Sequence, residues 1–311
     1  MQISVSVVIP ARNAEGTLAR ALDSVLAQTR PPDEIVVVDD ASTDGTAGVA
    51  RRYRPQGVKL VALPAQRGAA DARNAGIAAA RGVWIAFLDA DDEWLATKLE
   101  KQAALIAADP EIAFVFCVSH EISAAGQALG DTFGDRSVTT SDNAWKALLA
   151  RNFVATPTVV APRTKLLELG GFDESLKVGE DQDMWIRLAL TGRLAYVAES
   201  LVCVYGQPEN LSSLTLAEQH ACVLPMIERH LARLAGRLTR NEARRIMGER
   251  LNSMGLNACA HDDLRHGLPM MLRSAFLGYR PLHSLLLVAK TPVWAFIKRA
   301  LRRRPSRQNA L

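Results

Sequence analysis

Apolar and polar positions change period repeatedly over the first ninety residues. Val5 to Ile9 is a short β-branched run, which predicts a strand. Thr17 to Gln28 then places Leu18, Ala21, Leu22, Val25 and Leu26 at helical spacing. Glu34 to Val38 and Val58 to Leu63 predict two further strands, separated by a helix over Thr46 to Arg54. An Ala-rich helix over Gly68 to Ala80 leads into a fourth strand, Val83 to Leu88. This β-α-β-α-β-α-β order predicts a largely parallel, doubly wound sheet. Ligands in such sheets lie beyond the carboxyl ends of the strands, so the loops after Ile9, Val38 and Leu88 are expected to line one crevice.

After Asp92 the rhythm is less regular. Lys98 to Ala108 reads as a helix, Ile112 to Val118 as a strand, and Gly126 to Asp142 as a polar, irregular loop suited to motion. Thr158 to Ala161 reads as a strand, Leu166 to Gly171 and Asp181 to Leu190 as helices, and Leu194 to Tyr205 as one or two strands. From Ser212 the pattern is helical, and Thr239-Arg240-Asn241-Glu242 matches a capping box. The division expected is residues 1–211 for the sheet domain and 212–311 for a helical C-terminal region.

Chemistry concentrates where the fourth strand stops. The apolar run into Leu88 meets Asp89-Ala90-Asp91-Asp92 in one step. Three carboxylates there repel one another unless a cation sits among them, and oxygen-rich sites suit Mg²⁺ or Mn²⁺. A solvated acidic turn is the alternative for this tetrapeptide alone. Asp39-Asp40 ends the second strand, where acceptors meet a base N–H or a ribose hydroxyl, while Ser42, Thr43 and Asp44 suit capping of the next helix. Arg73 can fork onto phosphate oxygens, or pair at the surface with Asp71 or another acid. Glu180 and Asp181 open a helix whose dipole favours acids, and Asp183 with Arg187 has the spacing of a surface ion pair.

The chain has 311 residues, 49% of them hydrophobic, enough for a large core with an appendage. Its formal charge of +4 is uneven. Lys298, Arg299, Arg302, Arg303, Arg304 and Arg307 carry six positive charges, and taking six from +4 leaves −2 for the remainder. A mildly acidic body argues against nucleic acid as a partner; the basic tail, next to Trp294 and Phe296, suits an anionic membrane surface. A packed helical subdomain with a solvated tail is the alternative. The four cysteines show no CxxC spacing, which argues against a zinc site and for thiols in a reducing compartment. The N-terminus has no signal-peptide pattern, and Leu285 to Ile297, broken by Lys290 and Pro292, is too short to span a bilayer. A cytoplasmic location is expected, with peripheral attachment to the inner membrane face as the further option.

The segments VSVVIPARNAEGTLARALDSVLAQT, IVVVDDASTDGT, ARNAGIAAARG, WIAFLDADD, GGFDE and GEDQDMWIRLA, in that order, resemble glycosyltransferase family 2 over roughly the first two-thirds of the chain. The resemblance implies a GT-A fold: α/β, doubly wound, with a mostly parallel sheet and here a C-terminal helical extension. It implies a metal-dependent, inverting transferase taking a sugar from a nucleotide-diphosphate donor, most commonly a UDP-sugar, to a glycan or lipid-linked acceptor in cell-surface polysaccharide or glycolipid synthesis. By that resemblance Pro10, Ala11 and Arg12 form the first nucleotide loop, Asp40 reads the base, and Asp39 contacts the ribose or supports the loop. Arg73 meets the nucleotide or diphosphate, and Asp89 and Ala90 touch the donor. Asp89 and Asp91, helped by Asp92, hold Mn²⁺ or Mg²⁺; Asp181 is the catalytic base with Glu180 beside it. One departure stands out: Tyr205 to Ser213 lacks the cation that many relatives place there against the diphosphate, leaving Arg12, Arg73 or the late helices to supply it. The alternatives are a nucleotide-sugar-binding protein without turnover and a nucleotidyltransferase of related fold. The absence of GxGxxG after the first strand argues against a redox Rossmann enzyme.

Overall fold

The computed structural model describes residues 3–109, 111–123, 125–132, 143–206 and 214–280. The predicted alternation is present as β1 (Val5–Ala11), α1 (Leu18–Leu26), β2 (Glu34–Asp39), α2 (Thr46–Arg52), β3 (Val58–Ala62), α3 (Ala69–Ala79) and β4 (Trp84–Phe87). A two-residue β5 (Glu93–Trp94) precedes α4 (Lys98–Ala108), β6 (Ile112–Ile122), β7 (Ala128–Thr132) and α5 (Ala144–Ala150). Next come β8 (Val160–Pro162), α6 (Arg163–Glu168), α7 (Glu180–Ala189) and β9 (Arg193–Tyr205).

Among the described residues these strands make one sheet in the order β3-β2-β1-β4-β8-β6-β9-β5, with β7 on β6. β3, β2, β1 and β4 run parallel, as do β6 and β9, while β8 joins the two groups antiparallel. Central strands of such a sheet are covered on both faces, which is why β1 and β2 read as unbroken apolar runs. Val5, Val7, Ile9 and Ala11 face one core with Leu18, Ala21, Leu22 and Val25 of α1. Val36 and Val38 face the other core, against Ala72 of α3. Gly76 lets α3 lie against β1: a Cβ there would stand 2.3 Å from Val8 Cγ1.

Three segments differ from the sequence reading. The strand over Thr158 to Ala161 is a 3-10 turn at Thr156–Thr158, seeded by Pro157, followed by the short β8. The helix expected over Leu166 to Gly171 starts and ends earlier, because Gly170 and Gly171 adopt left-handed φ values of 82° and 75° and stop it. Ala128–Thr132 of the expected irregular loop is strand β7, paired to β6, and residues 133–142 lie outside the described residues. The stretch read as one or two strands over Leu194 to Tyr205 is the single 13-residue β9, Arg193–Tyr205, whose register on β6 shifts near Val118, so its apolar pattern breaks without the strand breaking.

The chain forms two compact units. The first is Met1–Leu148 with Asn152–Ser213; the second begins at Leu214 and takes in Leu149–Arg151. The second unit holds α8 (Leu216–Arg233), α9 (Arg240–Ala260) and α10 (Leu264–Phe276). The capping box read at Thr239 is formed, and a second one caps α8 at Thr215. Among the described residues no helix is long and apolar enough to cross a membrane. Gln207, Ser212, Ser213, the segment Leu282 to Leu301 and the basic tail lie outside the described residues.

Candidate active site

The loops after β1, β2 and β4 meet at one end of the parallel strands, because Ala11 lies in register with Asp39, and Val8 with Phe87. Two of the loops are cross-linked. Arg12 Nη1 donates to the carbonyls of Asp40 (2.7 Å) and Ala41 (2.9 Å), and Ala41 holds a left-handed φ of 52°. Asn13 Oδ1 accepts the Thr43 N–H, and Asp39 Oδ1 accepts the Ser42 N–H. Asp44 reaches the first turn of α2 by accepting the Thr46 N–H, whereas Ser42 Oγ accepts the Asn13 N–H instead of capping.

Asp40 is nearly buried and its two carboxylate oxygens accept the backbone N–H groups of Arg67 (2.7 Å) and Gly68 (2.8 Å). It thereby anchors the entrance to α3. Each oxygen keeps further acceptor capacity. Pro10 and Ala11 are the last two residues of β1, with Ala11 buried beneath the loops. Ala90 is buried within the acidic turn.

Arg73 lies at the centre. It projects from α3, is 6% exposed, and forks to Asp89 Oδ1 through Nη2 and to Glu180 Oε1 through Nη1, each at 2.9 Å. Burial works against its charge, but the carboxylates of Asp89 and Glu180 outweigh that and raise its pKa. The surface pairing with Asp71 is not formed; Asp71 pairs with Arg67 at 3.4 Å.

The three acids of the β4 loop have different surroundings. Asp89 meets Arg73. The Asp91 carboxyl is pushed up by burial and by the charge of Asp89, and its carbonyl accepts from Arg20 Nη2. Asp92 is 4% exposed and pushed well up by burial and by both neighbours, while the Tyr205 N–H at 3.1 Å opposes that. Arg20 lies over the Tyr205 ring at 3.7 Å, closing that side. This surplus of negative charge has the donor chemistry of a site for a hard divalent cation, for which Asp89 and Asp91 would be the candidate ligands with Asp92 behind them. Among the described residues no three His, Cys, Asp or Glu side chains enclose such an ion.

Asp181 sits in the first turn of α7, after Gly179 in a left-handed conformation (φ 87°). Its Oδ1 accepts the Gln182 N–H at 2.6 Å and its Oδ2 accepts from Asn152 Nδ2 at 3.1 Å. Burial and the charge of Glu180 push its carboxyl up to about 6, against the pull of the Gln182 N–H, Arg73 and Asn152. A carboxylate near pKa 6 is poised for general-base work close to neutral pH.

Residues 6–160 match the model of "Glycosyl transferase family 2". The chain is 31% identical over 199 residues to the UDP-Glc:alpha-D-GlcNAc-diphosphoundecaprenol beta-1,3-glucosyltransferase WfgD of Escherichia coli, covering 64% of this chain and 75% of that one. It belongs to glycosyltransferase family 2. This glycosyltransferase is also 49% identical over 88 residues to the succinoglycan biosynthesis protein ExoO of Rhizobium meliloti, covering 28% of this chain and 25% of that one. Its fold matches S. aureus TarS 1-349 in complex with UDP-GlcNAc, with a TM-score of 0.68 and 20% identity over 96% of this chain and 92% of that one. The GT-A fold read from the sequence is therefore the fold of the enzyme.

The motifs of this glycosyltransferase support one another across the sheet. Asn74, next to Arg73, donates to the Phe172 carbonyl (2.9 Å) and Glu174 Oε1 (3.0 Å) and accepts the Phe172 N–H (2.8 Å). Gly171 leaves room for it: a Cβ there would stand 2.4 Å from Asn74 Oδ1. Asp183 and Arg187 do pair, at 2.6 Å, but not at the surface. Asp183 is 5% exposed, and Arg187 also donates to the Leu169 and Gly171 carbonyls, tying α7 to the glycine turn. Phe172, Phe87 and Trp185 pack edge to face or tilted beneath these contacts, with centroids 5.5–5.9 Å apart. Asn74→Ala is expected to cost about 1–3 kcal/mol, because it strands the buried Phe172 amide groups. An unchanged urea midpoint would count against that role. Asn74 stood inside a recognised motif without an assigned role, and Asn152 carried no signal of spacing or composition.

Proposed function

We propose that this glycosyltransferase moves a sugar from a nucleotide-diphosphate donor, a UDP-sugar first among candidates, to a hydroxyl of a glycan or lipid-linked acceptor with inversion at the sugar carbon. The observation that carries the reading is the continuous chain Asp89–Arg73–Glu180, which ties the acid of the β4 loop to the helix turn bearing Asp181. Two ends of one displacement reaction need such an arrangement: charge compensation at the leaving group and a base at the nucleophile.

The acceptor hydroxyl gives its proton to Asp181 as its oxygen bonds the anomeric carbon. The bond from that carbon to the diphosphate breaks on the opposite face, and the nucleoside diphosphate leaves with the electron pair. Mn²⁺ or Mg²⁺ bound at Asp89 and Asp91 would offset the charge growing on the leaving diphosphate. Arg73 reinforces that end as a fixed positive charge, and the Arg12 cross-link keeps the nucleotide loops in place. WfgD is named for a UDP-glucose donor and a diphosphoundecaprenol-linked acceptor, and TarS was crystallised with UDP-GlcNAc; both favour a UDP-sugar and a role in polysaccharide or glycolipid synthesis.

A thermal-shift panel tests the donor class. UDP-glucose, UDP-GlcNAc, dTDP-glucose and GDP-mannose are each compared with and without Mn²⁺. Stabilisation follows affinity, so at a hundredfold excess over Kd about 2.7 kcal/mol is expected for the correct donor. The gain should require Mn²⁺ and a UDP-sugar. A flat response across the panel would remove the nucleotide-sugar reading.

A further inference from the structure

We infer that Asn152 is a positioning residue for Asp181, holding the carboxylate in one orientation through a neutral hydrogen bond. This rests on the reading of Asp181 as the base. The Asn152 side chain is itself held: its Oδ1 accepts the Val154 N–H at 3.2 Å, which forces its amide NH₂ toward Asp181 Oδ2 at 3.1 Å. A flipped amide would set oxygen against oxygen and lose both contacts. The other carboxylate oxygen is held at the helix start by the Gln182 N–H. With one donor on each oxygen the plane of the carboxylate is set, and the remaining lone pairs stay available for an acceptor proton.

The donor's neutrality matters as much as its position. The charged groups acting on Asp181 are Glu180 on its own helix and Arg73 from α3. Arg73 is already forked between Asp89 and Glu180. A cation at position 152 would hold the carboxylate ionised but make it a poor base. A side chain without a donor would leave burial and Glu180 to favour the protonated form. An amide lies between these limits, favouring the anion without neutralising it.

The test uses the full chain carrying Asn152→Ala or the isosteric Asn152→Asp, with ¹³C-labelled aspartate carboxyls followed by NMR across pH. The Asp181 signal is assigned by its loss in Asp181→Asn. The Asp181 titration is expected to move upward in Asn152→Ala and further in Asn152→Asp, which sets a second carboxylate against it. In parallel, Mn²⁺-dependent release of UDP from UDP-GlcNAc, with water as acceptor, should fall about 10–100-fold in kcat with little change in KM, the loss of one hydrogen bond to a charged group. An unmoved titration with wild-type kcat in either variant overturns the inference. Full turnover in Asp181→Asn would instead overturn the base reading beneath it.

Discussion

Asp181→Asn is expected to abolish sugar transfer while leaving donor binding close to wild type. The change keeps the shape of the side chain and the acceptor oxygen that meets the Gln182 N–H, but it removes the carboxylate that the proposed reaction uses as its base. Loss of a positioned general base lowers kcat about 10²–10⁴-fold, or about 3–5 kcal/mol of transition-state stabilisation. In the proposed reading the donor end consists of Asp89, Arg73 and the β1 and β2 loops, so the thermal shift given by UDP-sugar and Mn²⁺ should survive. The pH dependence has a defined sign. The Asp181 carboxyl is raised to about 6 by burial and by Glu180, and only its ionised form accepts a proton. In the wild type, kcat/KM therefore climbs as pH rises through about 6, and this acid limb vanishes with the mutant's activity. A mutant that turns over at the wild-type rate, or one that loses donor binding together with activity, would take Asp181 out of this role.

Arg73→Met should lower stability by about 3–5 kcal/mol, the cost of leaving buried charges without their partner. One guanidinium answers two carboxylates here, and the Asp89 and Glu180 side chains are only 28% and 15% exposed. Methionine fills most of the space and still packs on Phe172, so the loss measures charge rather than volume. Arg73→Lys should fall between the two, since a single ammonium does not reproduce a fork with two fixed arms. Urea unfolding read by tryptophan fluorescence gives the comparison, and equal midpoints for wild type and Arg73→Met would show that the bridge is not formed in solution. The same fork bears on catalysis. A diphosphate arriving at Asp89 competes with that carboxylate for Arg73, so the Arg73 variants should also weaken the donor's thermal shift.

How much of this was legible beforehand depends on the range of the physics involved. The strand and helix alternation of the first ninety residues came from local periodicity, and every element there was found within a few residues of its predicted ends. The capping box at Thr239 is a contact between residues three apart, so it too was readable. Short elements were not: β5 has two residues, and β7 is polar and gains its order from pairing with β6. Asp183 and Arg187 were read as a surface pair from their spacing, yet the helix face they occupy turned inward against the glycine turn. Helical spacing says which residues are neighbours and nothing about what lies opposite.

The order of apolar and polar blocks and the motifs at the strand ends were enough to determine the fold, the family and the set of acids gathered at one rim, because strand direction alone sends those loops to the same side. Partnership among them was decided by the tertiary structure. Arg73 selects Asp89 and Glu180, sixteen and 107 positions away, over the nearby Asp71; Asp40 spends its carboxylate on the entrance to α3; Asn152 reaches Asp181 from a segment with no pattern of its own. Ion pairs and hydrogen bonds act over a few ångströms of space, and distance along the chain does not enter their energy.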